Sequence, residues 1–306
     1  MGTPDFGVPV LRSLVASTHD VVAVYTRPDR PAGRGRQPAP SPVKQAAVEA
    51  GIPVVEPLSL REETSGQTLL EWRPDLVVVA AFAYLLPPAV LSVPHHGCLN
   101  VHPSLLPRYR GPSPVATALL NGDTETGVSI MLMDSGLDTG PVLGQERLAI
   151  TEDDTTGSLT MRLAELGARL LLETIDGWLE GRVAPRPQQE DEATFSAKIT
   201  ASGGRLNWCL PSSVLGRQVR AYHPWPGSHT VWKGQRLKVH SAVALTMQRP
   251  QPPGTVIELS KPFSIGVVTG EGVLALRSIQ LEGKREVAAE EFVRGHRDFP
   301  GAHLDS

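Results

Sequence analysis

The chain is expected to fold as a doubly wound, Rossmann-like α/β sheet, mostly parallel, followed by a smaller β-barrel of oligonucleotide-binding type. Three observations carry that expectation. The first half alternates short β-branched runs with helical patterns of crossover length. A stretch rich in Pro, Gln and Glu then interrupts the alternation, and five more short strands with turn residues between them follow it. At 306 residues the chain is longer than the usual single domain of about 100 to 200, which agrees with two.

Taken in order, five apolar runs read as buried parallel strands: residues 21–26, 52–56, 75–82, 97–102 and 127–133. Helices are expected at 8–16 and 42–50. The segment Gly2-Thr3-Pro4-Asp5-Phe6 resembles the turn that follows a first strand, yet no strand precedes it. The expectation is therefore a first domain over 1–184 that lacks its first strand, with unpaired ladder groups on the neighbours of that place. Residues 155–180 form an amphipathic helix through Leu159, Leu163, Leu166, Leu170 and Ile175, with acids before it and Gly181 after it. The polar stretch 183–204 reads as a linker, placed at 185–203. A second domain over 204–306 opens with a helix at 212–222 and continues with strands at 228–233, 235–245, 254–259, 264–269 and 272–281.

Composition excludes several classes. Apolar residues at 41% and charged residues at 20% are ordinary for a globular protein. No run approaches eighteen apolar residues and no signal peptide is visible, so no membrane contact is expected and the cytoplasm is the default location. Cys98 and Cys209 lack CxxC partners, so each reads as a buried thiol and no metal is expected. The net charge of −3 hides an asymmetry: from Gly203 onward there are 13 Lys and Arg against 8 Asp and Glu. A basic second domain on an acidic first one suits a polyanionic partner.

The candidate chemistry lies in Leu99-Asn100-Val101-His102-Pro103-Ser104-Leu105-Leu106-Pro107. Side chains at i and i+2 of a strand share a face, so Asn100 and His102 can converge on one group. Spacing alone is equally satisfied by a strand end whose His caps a carbonyl and whose Asn makes a turn. The loop Asp134-Ser135-Gly136-Leu137-Asp138-Thr139-Gly140 adds a carboxylate, Asp138, at the end of another strand expected in the same sheet. An amide, an imidazole and a carboxylate with no activated Ser or Cys suit attack by a substrate's own nucleophile on an acyl carbon. Between Arg27 and Lys44, five basic residues (Arg27, Arg30, Arg34, Arg36 and Lys44) face one acid, Asp29, in a Gly- and Pro-rich loop suited to nucleic-acid phosphates. Gly33-x-Gly35 follows no strand directly and lacks the third glycine of a dinucleotide loop.

Asn100-x-His102 with Ser104-Leu105-Leu106-Pro107 and Gly136-Leu137-Asp138-Thr139-Gly140 resembles the folate-dependent formyltransferase superfamily. The N-terminal turn, the Pro28 to Gly35 insert, Ser41-Pro42-Val43-Lys44, Arg220-Ala221 and Pro224-Trp225-Pro226 extend the resemblance towards the methionyl-tRNA formyltransferases over nearly the whole chain. Two positions depart from that pattern: Ala83 stands in place of Gly, and Pro103 gives a His-Pro-Ser run familiar from the glycinamide ribonucleotide branch.

The resemblance implies a monomeric enzyme of translation initiation that moves a formyl group from the co-substrate 10-formyltetrahydrofolate to the methionine amine of initiator methionyl-tRNA. It implies catalysis by Asn100 and His102 on the oxyanion and by Asp138 on the ammonium proton. It also implies folate binding by Phe82, Ala83, Tyr84, Leu85, Leu86, Pro87, Ser104, Leu105, Leu106 and Pro107, and tRNA binding by Arg30, Arg34, Arg36, Lys44, Lys198 and Arg220. The alternatives are formyl transfer to a small amine, such as glycinamide ribonucleotide or an amino sugar, and a non-catalytic RNA-binding relative.

Overall fold

The computed structural model describes residues 1–32, 37–60, 63–82 and 84–305, which divide into two compact units. The first unit takes Met1–Pro114, Glu125–Ile150 and Leu159–Ser196, and the second takes Val115–Thr124, Thr151–Ser158 and Ala197–Ser306.

The first unit opens on α1 (Gly7–Val15), β1 (Val24–Tyr25) and a short antiparallel pair, β2 (Arg30–Ala32) with β3 (Gln37–Ala39). Helix α2 (Pro42–Glu49) starts where Ser41 accepts the Lys44 amide hydrogen bond and Pro42 supplies a pre-set first turn. Strand β4 (Val54–Val55), α3 (Glu63–Trp72), β5 (Val77–Val79), α4 (Pro88–Leu91) and β6 (Cys98–His102) follow. After α5 (Pro114–Asn121), which falls almost wholly in the second unit, come β7 (Glu125–Leu132) and β8 (Val142–Ala149).

Strands β1 and β4 pair in parallel, as do β5 and β6. The expected fifth parallel strand is corrected: β7 runs antiparallel to β6, and β8, which the sequence reading did not include, runs antiparallel to β7. The interior of β7 is buried on both faces, and such a strand is continuously apolar whichever way it runs. The edge strand β8 alternates buried and exposed residues and offers a weaker apolar signal.

Met1 and Gly2 lie between β1 and β5. Gly2 donates to the Tyr25 carbonyl at 3.0 Å, the Met1 amine to the Val78 carbonyl at 2.6 Å, and Ala80 to the Met1 carbonyl at 2.9 Å. Beside them lies a cavity of about 440 Å³ lined by Leu11, Leu14, Val24, Trp72, Val77 and Ile175.

Helix α6 (Thr156–Leu179) follows the expected stripe, with Leu159, Leu163, Leu166, Leu170 and Ile175 all buried. A Cβ at Gly167 would stand 2.7 Å from a Val101 methyl, so glycine there lets the helix lie directly on β6 and β7. The stretch placed at 185–203 as a linker does not run free. Arg186 exchanges two backbone bonds of 2.9 Å with Val142, and residues 194 and 196 bond to Tyr109 and Arg110. Several of its polar groups hydrogen-bond to the domain while most of the stretch stays exposed, a difference composition does not mark.

In the second unit, α7 (Ser212–Ala221) precedes β9 (Ser228–Trp232), β10 (Gln235–Leu245), β11 (Val256–Glu258), β12 (Ile265–Val268), β13 (Val273–Leu281), β14 (Val287–Ala288) and α8 (Ala289–Gly295). The antiparallel order β11-β12-β13-β10-β9 curls into a half-barrel, and β14 adds to β13. The last residues link its two edges: Thr255 bridges His303 and Val231 bridges Asp305. Leu206, Trp208, Leu215, Leu274 and Phe299 fill the core. Cys98 is buried as expected, whereas Cys209 is exposed in the turn before α7. Among the described residues no helix is long and apolar enough to cross a membrane.

Candidate active site

Strand β6 carries Asn100 and His102 on one face, as its two-residue period requires, and ends at Pro103. His102 is buried; its Nε2 lies 3.1 Å from the Tyr109 carbonyl and its Nδ1 3.7 Å from Asp138 Oδ2. A carbonyl only accepts, so the neutral ring carries its proton on Nε2 and turns the Nδ1 lone pair towards Asp138. Burial pushes the His102 pKa below its ordinary value, and the Asp138 charge and the Tyr109 carbonyl oppose that shift.

The 134–140 loop is wound on itself. Asp134 Oδ1 accepts from the Gly136 amide at 2.9 Å and from the Thr139 hydroxyl at 2.7 Å. Gly140 has no room for a side chain, since a Cβ there would fall 1.8 Å from the Leu132 carbonyl oxygen. Asp138 is held at φ +53°, and Asn100 Nδ2 lies 3.5 Å from its Oδ1. Its Oδ2 accepts from the Gly111 amide at 2.7 Å. Asn100, His102 and Asp138 therefore meet at one place, as the strand spacing anticipates.

No activated nucleophile accompanies them among the described residues. The Ser104 hydroxyl donates to the Arg108 carbonyl at 2.6 Å. Burial pushes the Cys98 thiol up to about 12. Among the described residues no His, Cys, Asp and Glu group could hold a metal ion.

The other sequence-nominated residues divide sharply. Phe82 and Leu86 pack in the core with Val79, Val90 and Cys98, and Leu106 packs with Met131 and Val142. Ser104 is fully buried, and Ser129 ties the Ser104 carbonyl to the Leu106 amide. Tyr84 donates to the Leu58 carbonyl at 3.1 Å and stacks edge-on against Phe82. Leu85 is 72% exposed, Leu105 and Pro107 are half-buried, and Pro87 caps α4. Ala83, Arg34 and Arg36 lie outside the described residues, and of Arg30 only the backbone, in β2, is described. Lys44 sits between Asp29 and Glu56 at 2.9 and 2.8 Å. Arg220 donates to the Asp154 carbonyl at 3.0 Å and the Thr151 carbonyl at 3.5 Å. Lys198 is exposed.

Sequence reasoning did not include Tyr109, Arg110 or Gln188 in the site. Tyr109 holds the His102 ring, and Gln188 donates to the Asp138 and Gly140 carbonyls at 2.8 and 2.7 Å. No spacing or periodicity links position 188 to position 138; the one signal was the polarity of 183–204.

The family model "Formyl transferase" matches residues 1–175, and "Formyl transferase, C-terminal domain" matches 198–297. A methionyl-tRNA formyltransferase of Xanthomonas axonopodis pv. citri is 48% identical over 301 residues, covering 98% of this chain and 97% of that protein. Among solved structures, an N-formyltransferase from Helicobacter canadensis in complex with folinic acid and dTDP-3-aminofucose superposes with a TM-score of 0.65 at 17% identity, over 94% of this chain and 97% of that one. HypX from Aquifex aeolicus in complex with tetrahydrofolic acid gives 0.60 at 18%, over 80% of this chain and 43% of that one.

Proposed function

The chain belongs to the formyl transferase family, and from that premise we propose that it transfers the formyl group of 10-formyltetrahydrofolate to the α-amino group of methionine on initiator tRNA. The observation that carries this reading is the convergence of Asn100, His102 and Asp138 beside a silent Ser104 and Cys98. With no side chain among the described residues placed to take the formyl group, the acceptor amine attacks the formyl carbon itself.

Each residue then has a role set by its hydrogen bonds. Asn100 Nδ2 carries two protons; one faces Asp138 and the other is available to the carbonyl oxygen, which becomes an oxyanion on attack. The facing pair of His102 Nδ1 and Asp138 Oδ2 is a seat for one proton, and it takes that proton from the attacking nitrogen. The proton so held cancels the Asp138 charge near the oxyanion. As the oxyanion collapses, the bond from the formyl carbon to the folate nitrogen breaks, and the same pair returns the proton to that nitrogen. One N–H is lost at the amine and one is gained by the leaving folate.

The folate is assigned to residues 82–87 and 104–107. Because Phe82, Leu86, Ser104 and Leu106 are buried in packing, they serve through their backbone, leaving Tyr84, Leu85, Pro87, Leu105 and Pro107 to touch the ligand. The tRNA is assigned to Arg30, Arg34 and Arg36 of the insert, Lys198 and the basic residues from Gly203 onward. Lys44 and Arg220 reach it only by releasing the partners described above.

Incubation with 10-formyltetrahydrofolate and charged initiator tRNA is expected to yield formylmethionyl-tRNA. Formylation of glycinamide ribonucleotide or an amino sugar, with none on tRNA, would overturn the acceptor. Absence of product with all three would overturn the activity.

A further inference from the structure

The strip 183–196 makes contacts that a spacer has no use for. Gln188 points its amide nitrogen at two carbonyls of the loop that bears Asp138, those of Asp138 itself and of Gly140. Its amide oxygen accepts from Arg110 Nε at 3.0 Å. Arg110 is 1% exposed, and its two terminal nitrogens clasp Glu190 at 2.9 and 2.8 Å. All three of its side-chain nitrogens are therefore committed within the strip. The Arg110 backbone is committed too: its amide donates to the Thr194 carbonyl, and its carbonyl accepts from the Ser196 amide.

The placement of Arg110 matters as much as its bonds. On one side of it, Tyr109 holds His102 Nε2; on the other, the Gly111 amide holds Asp138 Oδ2. Tyr109 and Asp138 are both non-glycine residues in the left-handed region, at φ +60° and +53°. An L-residue keeps that conformation only where its surroundings over-determine it, and such residues gather at functional sites. Here the strip adds to the bonds within the 134–140 loop, through Thr194 on Tyr109 and Gln188 on Asp138.

We propose that Gln188, oriented by Arg110, is a positioning residue for the proton-accepting pair: it fixes the Asp138 loop in its left-handed turn so that the carboxylate faces His102 Nδ1. The inference rests on the reading of Asp138 and His102 given above. The Gln188 side chain bonds to the Asp138 and Gly140 carbonyls and to Arg110, and not to Asn100, His102 or the Asp138 carboxylate, so its effect passes through the loop that bears Asp138.

The experiment is steady-state kinetics with saturating 10-formyltetrahydrofolate and charged initiator tRNA, on Gln188→Ala, Gln188→Glu, Asp138→Asn and the double variant Gln188→Ala/Asp138→Asn. Gln188→Glu keeps the attraction to Arg110 but turns acceptor oxygens on two carbonyls. A displacement of the carboxylate by part of an ångström is expected to lower kcat about tenfold in Gln188→Ala, with both KM values within about twofold of the parent. Gln188→Glu should do no better than alanine. In the Asp138→Asn background the Gln188→Ala change should cost less than about twofold, because the two act through one group.

A merely structural role would lower Tm and leave kcat per folded molecule unchanged. A Gln188→Ala kcat within about twofold of the parent, a rise confined to KM, or a full additive loss in the double variant would each overturn the proposal. Parent-level turnover in Asp138→Asn would instead remove the catalytic reading and this inference with it, a pattern distinct from an inactive Asp138→Asn beside an indifferent Gln188→Ala.

Discussion

Residues 27–44 and 183–204 are both proline-rich, polar and poor in large apolar side chains, yet the chain uses them differently. The first pairs with itself: β2 lies against β3 with Arg30 opposite Ala39, and Lys44 anchors its base to Asp29 and Glu56. The second pairs with β8 through Arg186 on Val142, and with the proposed site through Gln188 on the Asp138 loop and Thr194 on Tyr109. A strand pair that bonds to itself is free to be altered for binding, whereas a stretch whose bonds end on the proposed catalytic residues is part of their geometry. Disturbing the second region should therefore appear in kcat, and disturbing the first in the affinity for tRNA.

The largest expected effect lies at the point the strip supports. Asp138→Asn removes the proton seat and His102→Ala removes its partner, and each should lower turnover about a hundred- to thousandfold while tRNA affinity stays near that of the parent. Single-turnover formylation beside filter binding checks both halves, and turnover within about tenfold of the parent would refute the assignment.

Next comes Gly140→Ala, which keeps Asn100, His102 and Asp138 but drives a Cβ into the Leu132 carbonyl. The loop must shift, and a misplacement of about 1 Å is expected to cost about a hundredfold in kcat. Kinetics beside a thermal melt would separate this from unfolding.

Arg34→Ala with Arg36→Ala tests the other side of the comparison. The pair should weaken tRNA binding at every salt concentration and flatten the slope of log affinity against log salt by about one per arginine. The kcat at saturating tRNA should stay within about twofold, and a fall in kcat instead would erase the contrast between the regions.

The smallest effect is in stability. The fold keeps the His102 ring from charging, so its pKa lies below the unfolded value of 6.5. The unfolded chain then takes up the proton more readily. The contribution is intact above pH 6.5 and declines as pH falls below it. Urea midpoints at pH 7.5 and 5.5 should fall more for the parent than for His102→Gln.

Much of the fold was legible where burial leaves a local imprint. The bounds of β10 match the expected 235–245, α6 matches its leucine stripe, and Asn100 and His102 meet because two residues on one strand need no distant partner to share a face. Strand β8 was hidden by its half-exposed alternation, and the two short strands of the insert by their brevity. The exposure of Cys209 was equally out of reach, since one residue in a turn has no pattern around it.

By itself, the amino-acid sequence determined where apolar runs bury themselves and that Asn100 and His102 share one face, because burial and strand period act over a few neighbouring residues. Tertiary structure alone decided that β7 runs antiparallel, that Tyr109 and Asp138 are wound left-handed, and that Gln188 reaches the loop at Asp138. Hydrogen bonds between segments some fifty positions apart depend on direction and distance in three dimensions, and a polar side chain carries no mark of whether its partner is water or a carbonyl.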